Sequence, residues 1–241
     1  MSYNEDDAAR DAFYEQVGNE AIGDFTADRL KSNYDDHEAV MQPALRSMHE
    51  GKRLLDNGHP SAAIVFSASA VELFLKATIL QPLVYGLVHN DKMADIIVNY
   101  TLGQTGFERY KDLLSNLFRE VAGLDFAKVR RGGSNRPLID ECKALAKQRN
   151  VILHRGDTLS AQDAATACEI SQAVYLLFVE PMLKALNLYI FDDGNISRTE
   201  FRTIMDASGY RVIAGPITFI QGESPGGFAV LANGTIPVPP A

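Results

Sequence analysis

Ala62-Ala63-Ile64-Val65-Phe66-Ser67-Ala68-Ser69-Ala70-Val71-Glu72-Leu73-Phe74-Leu75-Lys76 is apolar at nearly every position of the helical turn. A surface helix buries one stripe; a helix that is apolar all round belongs in the middle of a bundle. Its small residues, Ala62, Ala63, Ser67, Ala68, Ser69 and Ala70, permit close approach of neighbouring helices. The stretch therefore predicts a central helix over Ser61 to Leu80 and, around it, a mainly α fold. Glu72 is its informative residue, because a carboxylate among Val71 and Leu73 is costly to bury unpaired. Lys76, four residues on, offers a local partner. The other reading is that Glu72 reaches a basic residue of a later helix and orients it.

The flanking chain agrees with a bundle. Val40, Ala44, Leu45, Met48, Leu54 and Leu55 recur near helical period and predict a helix from about His37 to Asn57. Asn57-Gly58-His59-Pro60 ends it, and Pro60 suits the first turn of the next helix. Further helices are expected at Asp91–Tyr100 and Gly106–Ala122, the second striped by Phe107, Tyr110, Leu113, Leu114, Leu117, Phe118 and Val121. Leu138 to His154 is a run of helix formers. Ser160 then caps a long helix to about Leu188, in which Pro181 forces a kink or a new start.

The two ends differ in character. Residues 1–36 are rich in Asp and Glu and read as an acidic arm packed loosely on the body or as an interaction segment, with short helical pieces at Asp7–Gln16 and Asp24–Asn33 that Phe13, Tyr14, Phe25 and Tyr34 would dock. Residues 37–190 form the bundle, and 191–241 an appendage. There Ser197 and Glu200 fit a capping box that starts a helix ending near Gly209. Tyr210–Gln221 and Gly227–Val238 follow as two strands of a β-hairpin. Asp193-Gly194-Asn195 resembles half of a calcium loop, but Tyr189 and Phe191 stand where acidic ligands belong, so calcium is rejected.

Composition narrows the class. The chain has 241 residues, 46% hydrophobic and 22% charged, as in globular proteins, and no apolar run is expected to span a bilayer. The polar, acidic first ten residues do not read as a signal peptide. Cys142 and Cys168 have neither zinc nor disulfide spacing, and the expected compartment is the reducing cytoplasm. The net charge of -8 argues against indiscriminate nucleic-acid binding. Yet Lys128 to Arg155 holds eight basic residues and two acids, a local +6 against -14 for the rest. A basic island on an acidic body suits a restricted polyanion site. Lys128-Val129-Arg130-Arg131-Gly132-Gly133-Ser134-Asn135-Arg136-Pro137 is a basic, Gly-rich loop whose amides could cradle phosphate. It lacks the Gly-Lys-Ser/Thr ending of a P-loop, which excludes an NTPase of that kind. Nor is there a paired-carboxylate metal motif, a G-x-S-x-G or an H-E-x-x-H.

The candidate chemistry lies at the end of the basic island, in Gln148-Arg149-Asn150-Val151-Ile152-Leu153-His154-Arg155-Gly156. An always-cationic guanidinium near an imidazole suits work on a phosphate: Arg149 holds the anion, His154 moves a proton. Five residues apart on an ideal helix, they point about 140° from each other. To meet one phosphate they need a distorted helix, a ligand lying across its end, or a second copy of the motif. Asn150, four residues before His154, could orient the imidazole. Gly156 ends the helix, and the helix dipole favours imidazolium at His154.

R-N-x-x-x-H near a helix end, after an apolar helix with one embedded acid, resembles the signature of HEPN domains, all-helical domains of many prokaryotic ribonuclease toxins and antiviral systems. The likeness in helix order covers residues 37 to 190, and its specific part is six residues long. It implies an HEPN-like bundle of four to five helices, usually dimeric, here with a C-terminal helix and β-hairpin. It implies a metal-independent endoribonuclease site across the dimer interface, without cofactor, in which Arg149 and His154 are catalytic and Asn150 and Glu72 support them. Arg130, Arg131, Lys147 and Arg155 are the expected RNA-binding residues. The partners implied are RNA, a second copy, and an antitoxin or defence-system protein, with no membrane. Many HEPN-like domains are non-catalytic, so a binding or assembly module is the alternative.

Overall fold

The computed structural model describes residues 27–80 and 111–200, together with five short strands beyond them. The chain is mainly helical. Helix α1 covers 27–36, α2 Gln42–Asp56, α3 Pro60–Leu75, α4 Lys111–Ala122, α5 Leu138–Arg155, α6 Ala161–Val174 and α7 Glu180–Ala185. Five-residue π turns continue α3 (Lys76–Leu80) and join α6 to α7 (Tyr175–Val179). The expected helical pieces at Asp7–Gln16 and Asp91–Tyr100 lie outside the described residues.

Helix α3 is the central helix that its composition predicts, with α2, α5 and α6 packed against it. Ala63, Ile64, Ser67, Ala68, Ala70, Val71, Phe74 and Leu75 are buried. The closest approach is to α2, where a Cβ on Gly51 would stand 2.8 Å from Ser67 Oγ. By length and composition alone Pro60–Thr78 could cross a bilayer, which corrects the expectation of no such run; its burial is that of a bundle's core helix.

Prolines set several boundaries. Pro60 opens α3 as expected. α2 starts at Gln42 and not at His37, because Pro43 has no N–H and is tolerated only in a first turn. Pro181 lies in the first turn of α7, directly after a π turn, and Glu180 N–H bonds to Tyr175 O. The wider turn absorbs the donor that Pro181 lacks. Ser160 caps α6 through a full capping box with Asp163.

The core does not stop at residue 36 or at residue 190. The helical piece expected at Asp24–Asn33 is present as α1, and Leu30 and Tyr34, each 1% exposed, dock it firmly and not loosely. Asp35 also holds Arg198 in an ion pair. Phe191 and Ile196 are buried as well. They belong to an antiparallel hairpin of β1 (Tyr189–Ile190) and β2 (Ile196–Ser197), Phe191 in its turn and Ile196 in β2. This hairpin seats on the start of α2: Ile196 N donates to Glu38 O at 2.9 Å, and Gln42 Nε2 to Asn195 Oδ1 at 3.2 Å.

The helix expected after Ser197 is replaced by strand β3, Arg202–Met205. Ser197 Oγ accepts from Thr199 N, two residues on, and so closes a turn in place of a capping box. β3 pairs antiparallel with β4 (Arg211–Ala214), which pairs with β7 (Ile236–Pro237). β5 (Thr218–Gln221) and β6 (Phe228–Leu231) form the expected hairpin, with Thr218 opposite Leu231.

Candidate functional site

Helices α3 and α5 run antiparallel. Glu72 meets Arg149 across them, and one end lower Ser61 Oγ accepts from Leu159 N at 3.2 Å. Arg149 thus sits beside the one acid of the central helix. Its Nη1 donates to Glu72 Oε2 at 2.7 Å. The other carboxylate oxygen, Oε1, accepts from Lys76 Nζ, also at 2.7 Å. Both readings of Glu72 are therefore realised at once. Burial pushes the Glu72 carboxyl up, but hydrogen bonds and charge from Lys76 and Arg149 outweigh it and hold it below its ordinary value.

Asn150 acts on Arg149 and not on His154. Its Oδ1 accepts from Arg149 Nε at 3.3 Å and from Nη2 at 3.2 Å. A guanidinium has five N–H donors. Glu72 and Asn150 engage three of them, and the remaining N–H on each terminal nitrogen stays available to an anion. The Arg149 side chain is 24% exposed, held yet reachable.

His154 and Arg155 are exposed in the last turn of α5, and no residue described here hydrogen-bonds to the imidazole. The expected left-handed stop is present: Gly156 has φ +72° and donates to Ile152 O at 3.0 Å. The helix is regular α through Arg155, so distortion is removed as a way to bring Arg149 and His154 together. A ligand across the helix end or a second copy is left. Between the two on this face stands Leu153, 58% exposed, while α3 presents Phe66, 39% exposed. They are the exposed large apolar residues among those described.

The basic loop is tied to the bundle by side-chain bonds. Arg131 turns inward: Nε donates to both oxygens of buried Glu141, at 3.0 and 3.2 Å, and Nη1 to Glu169 Oε2 at 2.8 Å. Ser134 Oγ adds a 2.9 Å bond to Glu141 Oε1. Arg131, expected among the RNA-binding residues, thus has its guanidinium engaged in joining the loop to α5 and α6. Arg130 braces the same loop through Lys128 O and Asn135 O, yet stays exposed. Lys147 is exposed on α5. The sequence signal for Arg131 was present in Glu141, an acid in the first turn of a helix following a basic loop. The second partner, Glu169, is 38 residues away and carried none.

Among the described residues no group of three or more His, Cys, Asp or Glu could hold a metal ion. Arg149, Glu72, Asn150 and Lys76 form one cluster; His154, Arg155 and Lys147 lie outward of it. A guanidinium with two unengaged N–H groups has the chemistry to hold an anion, and an exposed imidazole has the chemistry to carry a proton. No family model matches the chain, and neither a curated protein nor a solved structure matches it.

Proposed function

We propose that this chain is a metal-independent endoribonuclease of the HEPN type, acting as a homodimer in the cytoplasm within a toxin or antiviral defence system. The observation that carries the reading is Arg149, fixed on one edge by Glu72 and Asn150 with donors left free, five residues before an exposed His154. Such a fork matches two phosphate oxygens and strengthens as charge develops on them. In the reaction, the RNA 2′-oxygen attacks the adjacent phosphorus and the bond to the 5′-oxygen breaks. The 2′-OH proton passes to the His154 imidazole, and the leaving 5′-oxygen takes up a proton from water, the imidazolium later returning its proton to solvent. The products are a 2′,3′-cyclic phosphate and a 5′-hydroxyl.

A second copy supplies what one regular helix lacks, since Arg149 and His154 on it diverge by about 140°. Leu153 and Phe66, exposed on the two helices that carry the cluster, support that face as the interface. Exposed Arg130, Lys147 and Arg155 suit contacts to flanking phosphates. Two unpaired thiols, Cys142 and Cys168, fit a reducing compartment.

The test is cleavage of labelled RNA in chelator by wild type, Arg149→Ala and His154→Ala, with folding and dimerisation followed in parallel. Cleavage by wild type and loss of at least about 100-fold in both folded variants is expected. RNA binding without cleavage would replace this reading with the non-catalytic binding module.

A further inference from the structure

We propose that Lys76 is a positioning residue for Arg149, and that the Tyr34 hydroxyl of α1 keeps Lys76 in place by fixing the turn behind it. The proposal rests on the reading of Arg149 as the phosphate-binding group. Glu72 is shared: one oxygen to Lys76, the other to Arg149, each at 2.7 Å. A carboxylate divided between two cations holds each less tightly than it would hold one alone. Lys76 therefore sets how firmly Glu72 draws Arg149 toward α3, and how much of the guanidinium is left for an incoming phosphate. Lys76 and Arg149 are the charged groups that face Glu72, the first from its own helix and the second from α5.

Lys76 is also where the helix changes its winding. The π turn Lys76–Leu80 begins at this residue. A switch from four-residue to five-residue hydrogen bonding leaves main-chain carbonyls to be served by other donors. Side-chain hydroxyls reach three carbonyls of this stretch. Thr78 Oγ1 donates to Phe74 O at 2.6 Å. Tyr34 Oη donates to Thr78 O and, at 3.4 Å, to Ala77 O. The two carbonyls that Tyr34 holds belong to the residues directly after Lys76. Tyr34, Ala77 and Thr78 are all buried, so water does not substitute for the phenol. The docked part of the N-terminal segment thereby reaches the candidate site through three contacts: Tyr34 to the turn, Lys76 to Glu72, Glu72 to Arg149.

The test uses the full chain without RNA. The Glu72 side-chain carboxyl is titrated by NMR, and the Arg149 Nε–H resonance is followed, in wild type, Lys76→Met, Lys76→Arg and Tyr34→Phe. Lys76→Met is expected to raise the midpoint of Glu72 by about 1 pH unit and to move the Arg149 resonance. Lys76→Arg, which keeps the cation, restores the wild-type midpoint. Tyr34→Phe, which keeps the ring and removes only the donor, shifts both signals in the same direction by less. Unchanged Glu72 and Arg149 signals in Lys76→Met overturn the proposal. A Tyr34→Phe variant that only melts earlier, with both signals as in wild type, overturns the part played by α1. Cleavage assays on the same proteins keep the two readings apart. If wild type cuts no RNA while the NMR shifts appear, the ribonuclease reading fails and the linkage stands.

Discussion

Glu72 Oε2 and Arg149 Nη1 lie 2.7 Å apart, joining residues 77 positions apart in the chain. Both side chains are partly buried, at 20% and 24% exposure. The pair falls between an exposed ion pair, worth under about 1 kcal/mol, and a buried one, whose breaking costs about 3–5 kcal/mol. A double-mutant cycle with Glu72→Gln and Arg149→Met should return a coupling of about 1–2 kcal/mol in urea unfolding. Additive single effects would mean that the contact has no energetic weight and that Arg149 is not held by α3.

The same carboxyl predicts a pH dependence. Its folded-state value lies below the ordinary 4.5, after burial, which raises it, is outweighed by Lys76 and Arg149. A group depressed in this way contributes stability above its unfolded-state value, and the contribution is lost as pH falls through the folded one. The stability difference between wild type and Glu72→Gln should therefore be flat in the neutral range and shrink as pH falls below 4.5. A difference that grows on acidification would mean that the carboxyl is raised by burial and that the two cations do not compensate.

How much of this was legible in the sequence depends on range. An apolar period predicted α2, all-round apolarity α3 and a run of helix formers α5, and Pro60, Gly156 and Ser160 marked helix ends, because caps and prolines act within one turn. Arg149 and His154 were legible as residue types at a helix end. The use of Asn150 was not, since an amide four residues before His154 and next to Arg149 can serve either, and the rotamer decides. Arg131 looked like a free cation because Glu169 approaches only after α6 has folded back. The π turns left no trace, as one extra residue per turn does not disturb a helix that is apolar all round. Ser197 failed for a related reason: its hydroxyl can serve an N–H two or three residues on, and strand pairing selected the first.

Two glycines with similar backbone angles should respond very differently to alanine. Gly156 has φ +72° and open space around its missing Cβ, so Gly156→Ala costs only the left-handed backbone, about 1 kcal/mol. Gly194 has φ +81°, and its Cβ would stand 2.6 Å from Gln42 Cα and 2.9 Å from Gln42 N. Main chain cannot rotate away, so Gly194→Ala should lift the β1–β2 hairpin off α2 and cost roughly 3 kcal/mol. Thermal unfolding of the two variants checks the ranking. Equal losses would mean that the hairpin does not seat on the start of α2.

Leu153 separates the stability of the fold from the assembly of the site. It is 58% exposed, in the last turn of a helix whose end carries His154. Replacing it with lysine should leave the unfolding free energy of the protomer within about 0.5 kcal/mol, as for surface changes away from the core. A cation at that position also agrees with the dipole at a helix C-terminus. In a two-fold dimer, however, the same patch faces its own copy, so one substitution introduces two like charges into one interface. If the chain dimerises through this face as proposed, Leu153→Lys should shift dimer to monomer in sedimentation, and the proposed RNA cleavage should fall with it although Arg149 and His154 are intact. Specific activity of wild type should rise with protein concentration over the range in which dimer forms. A variant that stays dimeric and fully active would place the interface on another face, and Arg149 and His154, the proposed catalytic pair, would then have to meet on a single RNA strand lying across the end of α5.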